Sequence, residues 1–175
     1  MKKMFNYLAT MAMCVALTGL MACNDDPEPT PEPEPNPYTE SNTYAINYNN
    51  SAIAAGTTLE YHPTSSQIEM DFATIELIPV NKTDGNLATV LKVEKIEGPE
   101  TMDDIMICYG ETCKNPHCPW VSDPFTLVPG ENNQMLIKFD YTPSMVTSKT
   151  TYRMTMGKGA ALDDPQVILI NVNAQ

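Results

Sequence analysis

The sequence predicts an all-β fold, a single antiparallel β-sandwich of about eight or nine strands. Apolar and polar residues alternate over many short runs, which is typical of strands with one buried face. Residues that favour turns separate these runs. After the first 22 residues, no window of 11 residues shows a convincing helical period. The length of the folded part, 39–175, suits one domain with an adequate core.

The clearest alternation covers 135–142, where Met135 and Ile137 share one face with Phe139. The alternation of Ile68, Met70 and Phe72 shifts phase before the next apolar residues, which predicts a bulge or a break near residues 73–74. The other predicted strands are 43–48, 58–62, 75–77, 89–96, 104–109, 125–128, 150–156 and 167–172. Predicted turns lie at 81–86, 98–99, 129–130, 142–144 and 163–165.

The first 22 residues have the pattern of a bacterial export signal. Lys2 and Lys3 precede an apolar run that ends at Ala22. The run is short for a membrane-spanning helix, which needs about 20 apolar residues. Residues 20–23, Leu-Met-Ala-Cys, resemble the lipobox of bacterial lipoproteins. The resemblance implies cleavage before Cys23 and attachment of acyl chains such as palmitate to that cysteine, which would hold the protein on a membrane.

Segment 24–37 predicts an extended spacer. Six of its fourteen residues are Pro and five are acidic, so neither helix nor sheet is expected. In a polyproline II conformation it would span on the order of 40 Å. We therefore predict a signal peptide at 1–22, a lipidated cysteine and linker at 23–38, and a β-sandwich at 39–175. Asp25 and Asp26 resemble the surface-export signal of Bacteroidota lipoproteins, which favours display at the outer-membrane surface over a periplasmic position.

The charge of the chain excludes one class of partner. The net charge is −12, and because residues 1–22 carry two lysines and no acid, the mature chain would carry −14. An acidic surface repels phosphate backbones, so we expect no binding to nucleic acid. It also disfavours contact with anionic lipid head groups, so the lipid anchor is the expected contact with the membrane.

Residue patterns of enzymes are largely absent. The two histidines, His62 and His117, lie in no Ser/His/Asp motif, and no Gly-rich phosphate loop or His-Glu-x-x-His sequence occurs. We interpret His62 as a surface residue. The acidic pairs at 103–104 and 163–164 fall in predicted turns and are too few for the six to eight oxygen ligands of Ca²⁺. We predict no catalysis and no cofactor.

The second half of the chain, 105–175, carries a resemblance to a known family. Its features are Cys-Tyr-Gly-Glu-Thr-Cys at 108–113, Asp-Pro-Phe-Thr-Leu-Val-Pro-Gly-Glu at 123–131, the strands at 135–141 and 150–156, and Asp-Asp-Pro at 163–165. It resembles immunoglobulin-like sandwich domains of secreted and lipid-anchored Bacteroidota proteins. This implies an immunoglobulin-like β-sandwich with an adhesive, spacer or ligand-holding role, since the fold itself carries no chemistry.

Three cysteines, Cys108, Cys113 and Cys118, remain in the predicted domain. An exported protein meets an oxidising environment, so a disulfide is expected. We favour Cys108–Cys113, as in the resembling domains, and keep Cys113–Cys118 as the alternative. Closing a loop of this length stabilises a protein by about 2 kcal/mol in the chain-entropy model. One thiol is left over, which also leaves open a disulfide between two molecules through Cys118.

A metal or redox site is the main alternative for this cluster. Three thiolates and the imidazole of His117 would suit zinc, but the spacing Cys-x4-Cys-x3-His-Cys is not that of a Cys-x2-Cys knuckle. We predict no metal, with Cys113, His117 and Cys118 as weak candidate ligands. A reactive thiol would need nearby cations, and Lys114 and His117 lie in acidic surroundings.

Trp120, the only tryptophan, follows this cluster. We interpret it as a cover for one end of the core, and keep it as a candidate ligand-binding residue because aromatic rings on loops anchor sugars and protein partners. The sequence as a whole predicts a non-catalytic binding, adhesive or accessory module whose partner is a glycan or a protein. The alternatives are a metal- or redox-active cysteine protein and a protective lipoprotein that inhibits a toxin or protease.

Overall fold

The computed structural model describes residues 36–70, 72–109, 112–131, 133, 135–140 and 149–173. These ranges contain twelve strands in two six-stranded sheets. They belong to one compact unit that begins at Pro35. The predicted signal peptide, Cys23 and the linker as far as residue 35 lie outside the described residues, so the predicted domain limits stay predictions.

The first sheet has the strand order β2-β1-β4-β10-β6-β7, and all its neighbouring strands are antiparallel. Its strands are β1 (Tyr44–Tyr48), β2 (Ser51–Ile53), β4 (Phe72–Asn81), β6 (Ile105–Tyr109), β7 (Thr112–Lys114) and β10 (Met135–Asp140).

The second sheet has the order β3-β12-β11-β5-β8, and β9 also pairs with β5. Its strands are β3 (Thr58–Tyr61), β5 (Leu87–Glu97), β8 (Trp120–Val121), β9 (Phe125–Leu127), β11 (Thr150–Lys158) and β12 (Asp163–Val172). The pairing of β3 with β12 is parallel, and the other pairings are antiparallel.

The core lies between the two sheets and is built from alternate side chains of the long strands. On β10, Met135 and Ile137 are buried while Leu136 between them is exposed. The main contributors are Ile75, Leu77, Leu91, Val93, Met135, Ile137, Tyr152, Met154, Met156, Ile168, Ile170 and Val172. The predicted all-β sandwich is therefore confirmed, and the two-residue period of the sequence arises from this one-sided burial.

One predicted strand is wrong. Residues Ser65–Glu69 form a short helix, α1, where the alternation of Ile68 with Met70 and Phe72 predicted a strand. A capping box starts the helix: the amide of Gln67 donates to the hydroxyl of Thr64 at 3.4 Å, and the amide of Thr64 donates to the Gln67 side chain at 2.9 Å. The three apolar residues span the end of α1, its C-cap Met70 and the start of β4 at Phe72, so their even spacing did not arise from a single element. In the described residues, no helix has the length and the apolar character to cross a bilayer.

Of the bulge or break predicted near residues 73–74, the bulge is absent. Strand β4 begins at Phe72 and pairs with β10 in an unbroken register from Phe72 to Leu77. The phase of the sequence shifts because Phe72 lies on the face of β4 opposite to the buried Ile75 and Leu77. Strands β2, β7 and β8 were missed because two or three residues are too few to show alternation, so the count rises from eight or nine to twelve.

The turn predicted at 163–165 is the start of β12, and the chain instead turns at 159–162. Asp164 has a φ of 46°, a left-handed conformation that Asp adopts more readily than most residues. Its carboxylate accepts hydrogen bonds from the amides of Asn42 at 3.1 Å and Thr43 at 2.8 Å. Hydrogen bonds, first from Thr43, hold the pKa of Asp164 below its usual value. The predicted turn at 142–144 lies outside the described residues.

The segment before β1 is held to the sandwich by further contacts. The side chain of Asn36 donates to the carbonyl of Ala55 at 2.6 Å, and the amide of Ala55 donates to Glu40 at 2.7 Å. The Lys82 ammonium donates to the carbonyl of Ser41 at 2.6 Å. The chain is therefore bound to the domain several residues before its first strand begins.

The alternation on β10 gives a direct test of the core. We expect Ile137→Ala to lower the free energy of unfolding by about 2–5 kcal/mol, because it leaves a cavity between the sheets. Ile137 is 0% exposed, whereas its neighbour Leu136 is 36% exposed. Leu136→Ala is the matched control, with an expected loss below about 1 kcal/mol. Chemical denaturation measures both variants, and equal losses would contradict the assignment of faces.

Candidate functional site

A groove of about 490 Å³ opens at one end of the sandwich. We call it the end groove and define it by its lining: Pro79, Tyr109, Thr112, Phe125, Thr126, Leu127, Val128, Glu131, Asn133 and Met135. Tyr109 pairs with Met135 in the first sheet, whereas Phe125 belongs to β9 of the second sheet. The end groove therefore lies where the two sheets meet. Its volume is within the range of about 300–1,000 Å³ that is usual for ligand sites.

Two aromatic rings form one wall of the end groove. The centroids of Tyr109 and Phe125 lie 4.6 Å apart, and the ring planes are inclined by 34°. Both rings are half-buried and pack against the core, so each keeps part of its surface toward solvent. Burial, and then the charge of Asp123, raise the pKa of Tyr109, so its hydroxyl keeps its proton at neutral pH.

Polar side chains surround these rings. Thr112, Thr126 and Glu131 are exposed. The Asn133 amide donates to the carbonyls of Glu131 at 3.1 Å and Val128 at 3.4 Å, which fixes its orientation. None of the described lining residues is Lys, Arg or His. The end groove therefore combines an apolar wall with hydrogen-bonding groups and carries negative charge.

The predicted Cys108–Cys113 disulfide is confirmed. The two residues face each other across β6 and β7, and their sulfurs are bonded at 2.05 Å. The alternative Cys113–Cys118 pair is excluded. In the same hairpin Tyr109 pairs with Thr112, and both line the end groove. The disulfide therefore ties the short edge strand β7 to β6 beside the end groove.

Cys118 is a free thiol within the core, 7% exposed. Burial, and then the charge of Asp103, raise the pKa of this thiol to about 11. The thiol is therefore protonated at neutral pH and shielded from solvent, which argues against a reactive cysteine and against a disulfide between folded molecules. The amide of Cys118 donates to the carbonyl of Asp103 at 2.8 Å, which holds this loop against the start of β6.

His117 is exposed over 67% of its side chain, whereas its neighbour Cys118 is buried. Its Nδ1 lies 2.7 Å from the Asp104 carboxylate, and its Nε2 lies 3.7 Å from Asp103. Asp103 is also paired with Lys95. The hydrogen bond to Asp104, aided by the charge of both carboxylates, raises the pKa of His117. The side chains of Lys95, Asp103, Asp104 and His117 form an ion cluster. It joins β5, the start of β6 and the loop before β8.

The weak metal candidates are thus not assembled into a site. The sulfur of Cys113 is in the disulfide, Cys118 is in the core and His117 is paired with Asp104. Within the ranges that the structure describes, no group of three or more His, Cys, Asp or Glu is placed to hold a metal ion.

Trp120 lies on β8, where it pairs with Val93 of β5. It is half-buried and packs against the core, which agrees with the interpretation of Trp120 as a core cover. It does not line the end groove. Its role as a ligand-binding residue stays a prediction. His62 is exposed, as expected for a surface residue.

A second cavity of about 320 Å³ lies beside β1 and β4. Tyr48 and Tyr61 line it together with Asn47 of β1 and with Asn49 and Asn50 of the turn that follows. The hydroxyl of Tyr61 is already bonded, to Gln67 at 2.9 Å and to the carbonyl of Thr74. This cavity is smaller than the end groove, and one of its aromatic hydroxyls is engaged within the protein.

The fold has counterparts among solved structures. The N-terminal domain of PorA superposes with a TM-score of 0.57 at 14% sequence identity, over 74% of this chain and 96% of its own. A FixG-related protein from Vibrio parahaemolyticus has a TM-score of 0.42 at 11% identity, over 74% and 93%. CfaE, the adhesive subunit of CFA/I fimbria of enterotoxigenic Escherichia coli, has a TM-score of 0.43 at 5% identity, over 77% and 50%. The likeness to the PorA domain confirms the immunoglobulin-like β-sandwich and shows the fold alone.

No protein-family model and no curated protein matches the chain.

Sequence reasoning missed the end groove. Tyr109 and Phe125 come from different sheets and meet only in the folded chain. The signal that was available is that both residues lie in the runs that carry the family resemblance, 108–113 and 123–131. Nothing in those runs distinguishes a residue that lines a groove from one that covers the core.

The disulfide gives a prediction on stability. We expect the double variant Cys108→Ala/Cys113→Ala to lose about 2 kcal/mol of unfolding free energy, because the unfolded chain gains freedom. Denaturant titration without reductant measures the loss. Lys114→Ala, on the same exposed strand, is the matched control and should differ little from the parent chain. A double variant as stable as the parent would contradict a stabilising cross-link.

The raised pKa of His117 gives a prediction on pH dependence. A group whose pKa is raised by folding stabilises the folded state fully below its unfolded pKa of about 6.5, and this contribution is lost as the pH rises through the folded value. We therefore expect His117→Asn to destabilise the domain more in mildly acidic solution than in alkaline solution. His62→Asn, at an exposed histidine, is the control.

Unfolding curves at several pH values measure this difference. In addition, NMR titration should show a lower pKa for His117 in the Asp104→Asn variant, which lacks the carboxylate, than in the parent chain. A pKa of His117 that does not move in the Asp104→Asn variant would refute the pairing.

Proposed function

We propose that this protein is a lipid-anchored, non-catalytic binding module of the bacterial cell envelope. The observation that carries the binding role is the end groove, a concave site with an apolar wall of Tyr109 and Phe125 and a polar rim. Sites that hold ligands are commonly concave and largely apolar, with a few polar groups that orient the ligand.

The chemistry of the end groove favours binding over catalysis. Glu131 is the one carboxylate among its described lining residues, and it is exposed. Glycoside hydrolysis needs two carboxyl groups at a set separation, and acyl transfer needs an activated nucleophile beside a base. The thiol of Cys118 is buried and protonated at neutral pH, so it supplies no nucleophile.

The proposed location rests on the N-terminal sequence. The lipobox-like residues 20–23 support cleavage before Cys23 and acylation of that cysteine. More than one acyl chain at a single terminus anchors a protein more stably than one chain, which binds a membrane only reversibly. The acidic pair Asp25 and Asp26 supports display at the outer surface of the outer membrane.

Labelling tests the anchor. In bacteria grown with a labelled palmitate analogue, we expect Cys23→Ser to abolish incorporation of the label and to leave an uncleaved, larger precursor. Cys14→Ser is the matched control and should keep the label, because Cys14 lies in the predicted signal peptide. Incorporation of the label into the Cys23→Ser variant would refute the assigned lipidation site. External protease treatment of intact cells tests display at the surface.

Binding is tested with the lipidated protein in detergent micelles against polysaccharide and protein fractions of the cell envelope. Thr126→Arg places a long side chain in the end groove from an exposed strand position and leaves the core unchanged. We expect it to weaken binding at least about tenfold, which is ~1.4 kcal/mol. Thr58→Arg, at an exposed strand position outside the end groove, is the control. Equal binding by both variants would refute the end groove as the binding site.

A further inference from the structure

We propose that the end groove binds a neutral saccharide chain, an inference that rests on the proposed binding function and adds the chemical class of the ligand. The argument starts from the charges. No basic side chain occurs among the described lining residues, and the carboxylate of Glu131 lies at the rim. The chain as a whole carries a net charge of −12. A phosphorylated, sulfated or carboxylated ligand would therefore find no counter-charge in the end groove and would be repelled.

The aromatic wall selects a ligand with an apolar face. The ring centroids of Tyr109 and Phe125 lie 4.6 Å apart, and the two residues belong to strands of different sheets. The disulfide links the two strands of the hairpin that contains Tyr109. Rings held in this way offer a rigid apolar surface at little cost in conformational entropy, because few side-chain torsions must be ordered on binding. The axial C–H groups of a pyranose ring form such a flat apolar face.

The rim selects a ligand that also carries many hydroxyl groups. Thr112 and Thr126 offer hydroxyls, Glu131 offers a carboxylate, and Asn133 offers an amide that is oriented by its bonds to main-chain carbonyls. A carboxylate can accept hydrogen bonds from two adjacent hydroxyls through its two oxygens, and the Asn133 amide adds one acceptor oxygen. A purely apolar ligand would leave these groups without partners, which costs affinity.

The size of the end groove sets the length of the ligand. A volume of about 490 Å³ exceeds that of a single sugar ring. A short segment of a chain, rather than a free monosaccharide, is therefore the expected occupant. The second cavity, at about 320 Å³, has tyrosines too, but the hydroxyl of its Tyr61 is bonded within the protein.

Calorimetric titration of the lipidated protein in micelles tests this proposal. The probes are hexasaccharides of glucose, mannose, xylose and N-acetylglucosamine, with oligogalacturonate as an anionic probe. We expect at least one neutral hexasaccharide to bind and oligogalacturonate to bind at least about tenfold more weakly, a difference of ~1.4 kcal/mol. Tighter binding of the anionic probe would overturn the proposal.

Variants locate the binding. Phe125→Ala and Thr126→Arg should each weaken saccharide binding at least about tenfold, and Glu131→Gln should weaken it less, because an amide keeps one acceptor. Tyr48→Ala, which removes an aromatic side chain from the second cavity, is the control and should bind as the parent does. Thr126→Arg keeps the test valid should Phe125→Ala fail to fold, since Thr126 is exposed. Saccharide binding that survives in Thr126→Arg would overturn the assignment to the end groove.

The two proposals fail in different ways. If no saccharide binds but Thr126→Arg still weakens binding to protein fractions of the envelope, the saccharide is refuted and the binding function stands. If Thr126→Arg changes neither kind of binding, both proposals are refuted.

Discussion

Apolar side chains from alternate positions of five long strands pack between the two sheets. Their burial determines that the residues between them on each strand face outward. Because the side-chain period of a strand is two, burial of Met135 and Ile137 turns Leu136 and Lys138 away from the core. A slip of one residue would bury Lys138 on β10 or Arg153 on β11. The register of the sheets, and with it the position of each loop, therefore depends on this packing.

The end groove is a product of that register. In the first sheet, the end of β6 pairs with the start of β10. In the second sheet, the start of β5 pairs with β9. Tyr109, the last residue of β6, thereby meets Phe125, the first residue of β9. The disulfide between Cys108 and Cys113 joins β6 to β7 there. The edge strand β7 is three residues long and all three are exposed, so its position relies on this disulfide more than on burial.

The long strands could be predicted from the sequence because each has one buried face, as β10 and β11 show. Short elements could not, since two residues of β8 or three of β2 carry no period. The helix α1 was misread because Ile68 and Met70 satisfied an alternation, although Thr64 and Gln67 form the capping pattern of a helix start. The disulfide pairing was predicted from the resemblance to immunoglobulin-like domains, because closeness in the chain did not distinguish Cys108–Cys113 from Cys113–Cys118. The end groove was not, because its aromatic wall joins residues 16 positions apart on different sheets.

The hold on the segment before β1 has a mechanical consequence. Tension applied along the chain from its N-terminal side acts first on two sets of contacts. These are the contacts of Asn36 and Glu40 with Ala55, and those of Asp164 with Asn42 and Thr43. The tension reaches the hydrogen bonds between β1 and β4 only after these contacts. Asp164 belongs to the second sheet and β1 to the first, so the load is shared between the sheets and does not peel β1 away one hydrogen bond at a time. Because the pKa of Asp164 is lowered, this grip persists in mildly acidic surroundings.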